Sequence, residues 1–256
     1  MNFKNLNLIN PIIRAVTEAG YSKPTEIQSN VIPQILMGRD VMGCAQTGTG
    51  KTGAFVMPVL QLLKKSAPEH KEIRTLILTP TRALATEVEE NFKIYTKYLP
   101  LSLFTVYDGV SQGGQLAALR KRVDVLIATP ERLLDLVAQR HINLSKIEIL
   151  ILDEADKMPN ASFIDQVKKV LKLIPQKRQT LFFSSTMPKD LRRFADSLLN
   201  NPVEIMITQD SSIAKNVDPS ISLVEKKEKT DLLVNLLQDD SLLRSLHFAM
   251  KRTVRI

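Results

Sequence analysis

Residues 45–52 read Ala45-Gln46-Thr47-Gly48-Thr49-Gly50-Lys51-Thr52. They follow a short apolar segment, Asp40-Val41-Met42-Gly43-Cys44, and precede an apolar-periodic run over 52–63. A strand, a glycine-rich turn and a helix opening with Lys-Thr form a phosphate cradle. The glycines let backbone N–H groups converge on phosphate oxygens, and the helix N-terminus adds its dipole. Lys51 is spaced to reach the outer phosphates of a nucleotide, and the Thr52 hydroxyl to ligate Mg²⁺. The first position is Ala45 rather than Gly, so the strict pattern is not fully met, and a chance glycine turn is the plain alternative.

A second site answers the first. Ile147-Glu148-Ile149-Leu150-Ile151-Leu152 is a nearly unbroken apolar run, the pattern of a strand buried on both faces. It ends in Asp153-Glu154-Ala155-Asp156. A carboxylate at the end of a buried strand can hold the Mg²⁺ that bridges phosphates, which suits Asp153. The adjacent Glu154 can orient or deprotonate an attacking water. An acidic turn capping the next helix would account for Asp156, but it explains poorly why the acids follow a buried strand.

Working outward, 74–78, 103–106, 123–128, 147–152, 179–184 and 203–207 read as strands. Stretches near 8–19, 26–37, 52–65, 81–97, 111–121, 131–139, 161–173 and 188–199 read as helices. This alternation predicts a parallel sheet covered by helices on both faces. The polar stretch 209–219, rich in turn residues, reads as a linker. Beyond it, 220–225 and 246–250 read as strands and 229–237 as a helix.

Composition narrows the class. The 256 residues carry a formal charge of +8, mostly before residue 209, a balance compatible with a polyanionic partner. Hydrophobic content of 44% suffices for a real core. No apolar run reaches the roughly 18 residues of a membrane span. The single Cys44 excludes an internal disulfide and fits a reducing, cytoplasmic setting. One cysteine and three scattered histidines support no zinc site.

Three strand-like runs end alike, in Thr79-Pro80-Thr81-Arg82, Thr129-Pro130-Glu131-Arg132 and Thr186-Met187-Pro188. Thr near an N-cap with Pro in the first turn starts a helix, which is a complete structural explanation. The same geometry offers free amides to phosphates, and Arg82 and Arg132 add charge. Near the N-terminus, Thr25-x-x-Gln28 is a capping box.

The order and spacing of these motifs, from about Phe3 to about Met250, resembles the DEAD-box family of ATP-dependent RNA helicases, whose name spells residues 153–156. The bacterial RhlE-like branch is the most similar. The resemblance implies an α/β fold, a RecA-like P-loop NTPase domain with a parallel sheet and helices on both faces. It implies domain 1–208, linker 209–219 and the incomplete beginning of a second RecA-like domain over 220–256. It implies ATP and Mg²⁺ as cofactors, with Ala45 to Thr52 around the phosphates, Thr52 and Asp153 on the metal, and Glu154, Asp153 and Lys51 in catalysis. The segment ending at Gln28 matches the motif that reads adenine. There Gln28 would pair with the base, and Tyr21 or Phe3 would pack on it. Pro80, Thr81 and Arg82, Gly109, and Thr129, Pro130 and Arg132 match contacts to the RNA sugar-phosphate backbone. Ser184-Ser185-Thr186 stands for Ser-Ala-Thr, in which Ser184 and Thr186 would couple hydrolysis to domain movement.

Departures are visible as well. Ala83 stands where the family has Glu, Glu87 where it often has Gln, Glu131 for the Gly of Thr-Pro-Gly-Arg, and Asp108-Gly109 for Gly-Gly. Added acids near phosphates weaken RNA binding. No His-Arg-x-Gly-Arg-x-x-Arg stretch, the family's arginine-finger motif, occurs, and Lys251, Arg252 and Arg255 do not supply it. Residues 1–256 alone are therefore expected to bind nucleotide and turn it over slowly. A nucleotide-binding module and a P-loop enzyme acting on DNA are the rival readings. Stimulation of turnover by RNA against DNA separates the last.

Overall fold

The apolar runs become a sheet of seven parallel strands, whose inner strands are apolar on both sides and are covered by helices on both. The computed structural model describes residues 2–65, 72–109, 119, 121–157, 161–207, 222–225 and 227–237. In chain order the elements are α1 (Asn10–Glu18), α2 (Glu26–Leu36), β1 (Val41–Ala45), α3 (Lys51–Lys65), β2 (Thr75–Leu78), α4 (Arg82–Thr96), β3 (Leu103–Val106), β4 (Val125–Ala128), α5 (Pro130–Ala138), β5 (Ile149–Leu152), α6 (Ala161–Leu171), β6 (Gln179–Ser184), α7 (Lys189–Leu198), β7 (Val203–Ile207) and α8 (Lys229–Leu237). Short 3₁₀ turns, Phe3–Leu6 and Ala155–Lys157, complete the set.

Alternation along each strand sorts side chains into two layers. Val41, Ile77, Ile127, Ile151, Leu181 and Phe183 join one core with α1 to α4, where Phe55 meets Phe183 at 5.2 Å between ring centres. Met42, Leu76, Leu78, Leu126, Leu150, Leu152 and Phe182 join the other with α5, α6 and α7. The strand order is β3-β4-β2-β5-β6-β1-β7, with every pairing parallel. The chain divides into two compact units, Met1–Asp210 and Ser211–Ile256.

Two buried carboxylates stitch the amino edge of the sheet. Asp40 accepts from Thr180 N and Asn200 N, both at 2.7 Å, and so ties the starts of β6 and β7 to β1. Asp124, about 1% exposed, accepts from Ser102 N at 2.9 Å and pairs with Arg122 at 2.9 Å and with the equally buried Arg74 at 3.4 Å. Replacing Asp124 with Ala takes the carboxylate from a buried guanidinium. Breaking a buried pair from one side costs about 3–5 kcal/mol. A calorimetric melt should show the transition lowered by roughly 6–20 °C; a shift under about 2 °C would mean Arg74 is held by its other contacts.

Several expectations need correction. Of the three Thr-Pro helix starts, only Thr129-Pro130 has Thr at the N-cap and Pro in the first turn. Pro80 precedes the N-cap Thr81, and Pro188 is itself the N-cap. The hydroxyls decide this: Thr81 accepts from Leu84 N, whereas Thr186 donates to Asp156 instead of capping. The described part of the strand expected over 220–225, residues 222–225, takes no regular secondary structure. The helix expected over 229–237 is present as α8. The linker 209–219, the strand over 246–250, residues 251, 252 and 255, and nearly all of the helix over 111–121 lie outside the described residues.

Candidate active site

Ligands of parallel sheets bind beyond the carboxyl ends of the strands. The strand order divides that edge in two. The loops after β5, β6 and β1 are neighbours, and so are those after β3, β4 and β2.

The loop after β1 runs straight into α3, which begins at Lys51. Gly48 and Gly50 sit at φ +83° and +88°, where a side chain would be strained. Thr49 closes the turn by donating its hydroxyl to Gln46 O at 2.7 Å. Lys51 is only 4% exposed. Its Nζ donates to Ala45 O at 2.6 Å and to Ser185 Oγ at 2.9 Å, and pairs with Glu154 Oε1 at 3.3 Å.

Glu154 follows β5 with φ +51°, a left-handed conformation unusual for a side chain of its size. Strain of this kind persists where the surroundings over-determine it. The carboxylate is held by Lys51, by Lys157 Nζ at 2.9 Å and by the Ser185 hydroxyl at 3.3 Å. Asp153 is 3% exposed and accepts from Glu154 N at 3.0 Å. Burial, and then the Glu154 charge, push its carboxyl up to about 7 against the pull of Lys51. A carboxylate so desolvated is the chemistry that a divalent cation relieves. Mg²⁺ takes one or two carboxylates and completes its shell with water and phosphate. Asp153 with the Thr52 hydroxyl fits that need, although no group of three or more His, Cys, Asp or Glu is found among the described residues.

Asp156 has a role that sequence did not show. It accepts from Ser185 N, Thr186 N and Thr186 Oγ1 at 3.2, 2.9 and 3.0 Å. Burial raises its carboxyl, but these donors outweigh burial and leave it below its ordinary value. The 3₁₀ turn after β5 is thus tied to the loop after β6. There the Ser184 hydroxyl donates to Thr186 O at 2.6 Å.

A cleft lies over the phosphate turn, lined by Tyr21, Lys23, Thr25, Gln28, Thr47, Gly48, Gly50, Lys51, Thr52 and Glu154, and also by Glu87, marked in the sequence only as a departure, and by Asn91 and Tyr95, which sequence had not marked. Only the α4 periodicity, which turns residues 87, 91 and 95 to one face, could have suggested them. Gln28 closes the capping box: Thr25 N donates to its Oε1 at 3.0 Å, and its Nε2 donates to Gly50 O at 3.2 Å. A Cβ on Gly50 would come within 2.6 Å of that Nε2 and push the amide aside, and the φ of +88° itself favours glycine. Tyr21, half exposed, lines the cleft. Phe3 does not. It is 5% exposed and belongs to the same core cluster as Leu6 and Ile12, so stacking on a base would require it to leave that cluster, whereas Tyr21 already faces the cleft.

The other half of the edge gathers the second set. Thr81 and Arg82 are exposed after β2, and the Arg82 guanidinium stands 4.9 Å from the Tyr107 ring centre. Gly109, φ +83°, is exposed after β3. Thr129, after β4, donates its hydroxyl to Asp108 at 3.2 Å. Pro130 and Arg132 open α5, and Pro80 precedes Thr81. Both arginines therefore share one surface, beside acids at 108 and 131.

A family description reading DEAD/DEAH box helicase matches residues 25–194. The chain belongs to the DEAD/DEAH box helicase family. The ATP-dependent RNA helicase DeaD of Escherichia coli is 39% identical over 237 residues, which cover 92% of this chain and 37% of that protein. The DEAD-box ATP-dependent RNA helicase CshA of Bacillus subtilis is 34% identical over 241 residues, 94% of this chain and 48% of that protein. The crystal structure of a DEAD box protein from the hyperthermophile Methanococcus jannaschii superposes with a TM-score of 0.75 at 33% identity, covering 93% of this chain and 64% of that one. The chain thus spans less than half the length of these curated DEAD-box relatives. Among the described residues no helix is long and apolar enough to cross a membrane.

Proposed function

We propose that this chain is the ATP-binding part of a DEAD-box RNA helicase. The observation that carries this is the convergence of Lys51, Glu154 and Ser185 within 3.3 Å at the ends of β1, β5 and β6, beside the buried Asp153. Lys51 and the turn amides would hold the phosphates, Thr52 and Asp153 the Mg²⁺, and Gln28 and Tyr21 the adenine. Because both ends of the Gln28 amide are already engaged, reading a base would require it to exchange or share its bond to Gly50. ATP would supply the phosphoryl group, and the metal would neutralise its developing charge. Glu154 would orient the attacking water. Ser184 and Thr186, with Thr186 tied to Asp156, would report the nucleotide to the second RecA-like domain that residues 220–256 begin.

RNA would lie across the loops after β2, β3 and β4, held by Pro80, Thr81, Arg82, Gly109, Thr129, Pro130 and Arg132. Such contacts go to sugar and phosphate and carry little sequence preference. The relatives' names support RNA over DNA. A cytoplasmic setting and the RhlE-like branch belong to the same proposal.

Affinity for single-stranded RNA is expected to fall with salt by about 0.7 log units per phosphate contact for each log unit of salt. Replacing Arg82 and Arg132 with Ala should flatten that slope by roughly 1.4. Filter binding of an oligouridylate across a salt series measures it. Equal slopes would remove both residues from the interface, and DNA binding as tightly as RNA of the same length in that assay would overturn the RNA reading.

A further inference from the structure

Ser185 stands where the family has Ala, and its hydroxyl reaches into the centre of the site. Lys51 Nζ has three protons and no lone pair. The structure gives it three acceptors: Ala45 O at 2.6 Å, Ser185 Oγ at 2.9 Å and Glu154 Oε1 at 3.3 Å. The ammonium is therefore saturated by the protein. Ser185 has one proton to give. Glu154 Oε2 and Thr47 Oγ1 both lie 3.3 Å away and can take it. One hydroxyl thus bridges the phosphate turn, its lysine and the carboxylate after β5. Its backbone is fixed as well, since Ser185 N donates to Asp156 at 3.2 Å.

We propose that Ser185 is a positioning residue that competes with phosphate for the Lys51 ammonium. The inference rests on reading the cleft as a nucleotide site. A phosphate oxygen taking a Lys51 proton must replace one of the three acceptors. Ala45 O belongs to the end of β1 and cannot swing away. Glu154 carries the opposite charge. Ser185 is the neutral, partly buried, rotatable acceptor, and it is the one displaced. An alanine at 185 would leave that proton for phosphate outright. The hydroxyl therefore lowers nucleotide affinity while holding Lys51 and Glu154 in register.

Titration with ADP·Mg²⁺ tests this. Ser185→Ala is expected to tighten binding by roughly 3- to 10-fold, the span of one ordinary hydrogen bond. Ser185→Thr, which keeps the hydroxyl, is expected to bind as the parent does. In a Lys51→Ala background the Ser185→Ala change is expected to have no effect, because the acceptor has lost its donor. Damage to packing cannot produce tighter binding, so the sign separates the proposal from a structural role. Unchanged or weaker binding by Ser185→Ala overturns the proposal, and so does tightening that persists without Lys51. If Lys51→Ala alone leaves ADP affinity intact, the failure lies in the nucleotide site itself rather than in Ser185.

Discussion

A polypeptide of residues 1–256 is expected to hydrolyse ATP at close to background, and joining it to a RecA-like domain that carries His-Arg-x-Gly-Arg-x-x-Arg should raise turnover about 10³–10⁵-fold. That range is what an arginine finger contributes in related P-loop enzymes. The expectation rests on the cations that the first unit places near the phosphate turn. Among the described residues the cleft over the phosphate turn is lined by Lys23 and Lys51 and by no arginine, and Lys51 and Lys157 both pair with Glu154, at 3.3 and 2.9 Å. Arg82 and Arg132 stand on the other half of the edge, beyond β2 and β4. Charge developing on a transferred phosphoryl group therefore needs cations from outside this edge. A phosphate-release assay on the two proteins, with and without single-stranded RNA, reads the difference. Robust RNA-stimulated turnover by residues 1–256 alone would refute it.

In the joined protein, Glu154→Gln should lower turnover by about 10²–10⁴-fold, the usual contribution of a positioned base. Nucleotide binding should not weaken. The amide keeps the shape of the carboxylate and its contact with Ser185, while the charge drawing on Lys51 and Lys157 is lost. Both lysines then become freer to meet phosphate. Single-turnover hydrolysis alongside ADP titration separates the two effects. Parallel loss of binding and turnover would make Glu154 a structural support and not a base.

The inner strands were legible because each is a short apolar run buried on both faces, as at Leu76 to Leu78 and Ile149 to Leu152. Their order was not. Nothing local in a parallel strand names its neighbours, so that β1 lies beside β6, 140 positions on, had to come from the structure. The same limit applies to the site. Lys51, Thr52, Asp153 and Glu154 announce themselves by residue type and spacing, because phosphate and Mg²⁺ chemistry accept few substitutes. The bonds from Lys51 to Ser185 and from Thr186 to Asp156 join segments far apart in the chain and leave no local trace. Phe3 shows a different limit. An aromatic near the adenine motif reads alike whether it stacks on a base or fills a core, and only burial decides.

The central claim is that the cleft at the ends of β1 and β5 binds an adenine nucleotide through its phosphates. Calorimetric titration of ADP·Mg²⁺ into residues 1–256 and into their Lys51→Ala variant tests it most directly. The ammonium makes a charge-assisted contact, so the variant should bind about 10- to 100-fold more weakly. Its fold should survive, because Glu154 keeps Lys157 at 2.9 Å and the Ser185 hydroxyl at 3.3 Å, and a thermal melt checks this. Equal affinity in two folded proteins, or no binding to either, would contradict the account.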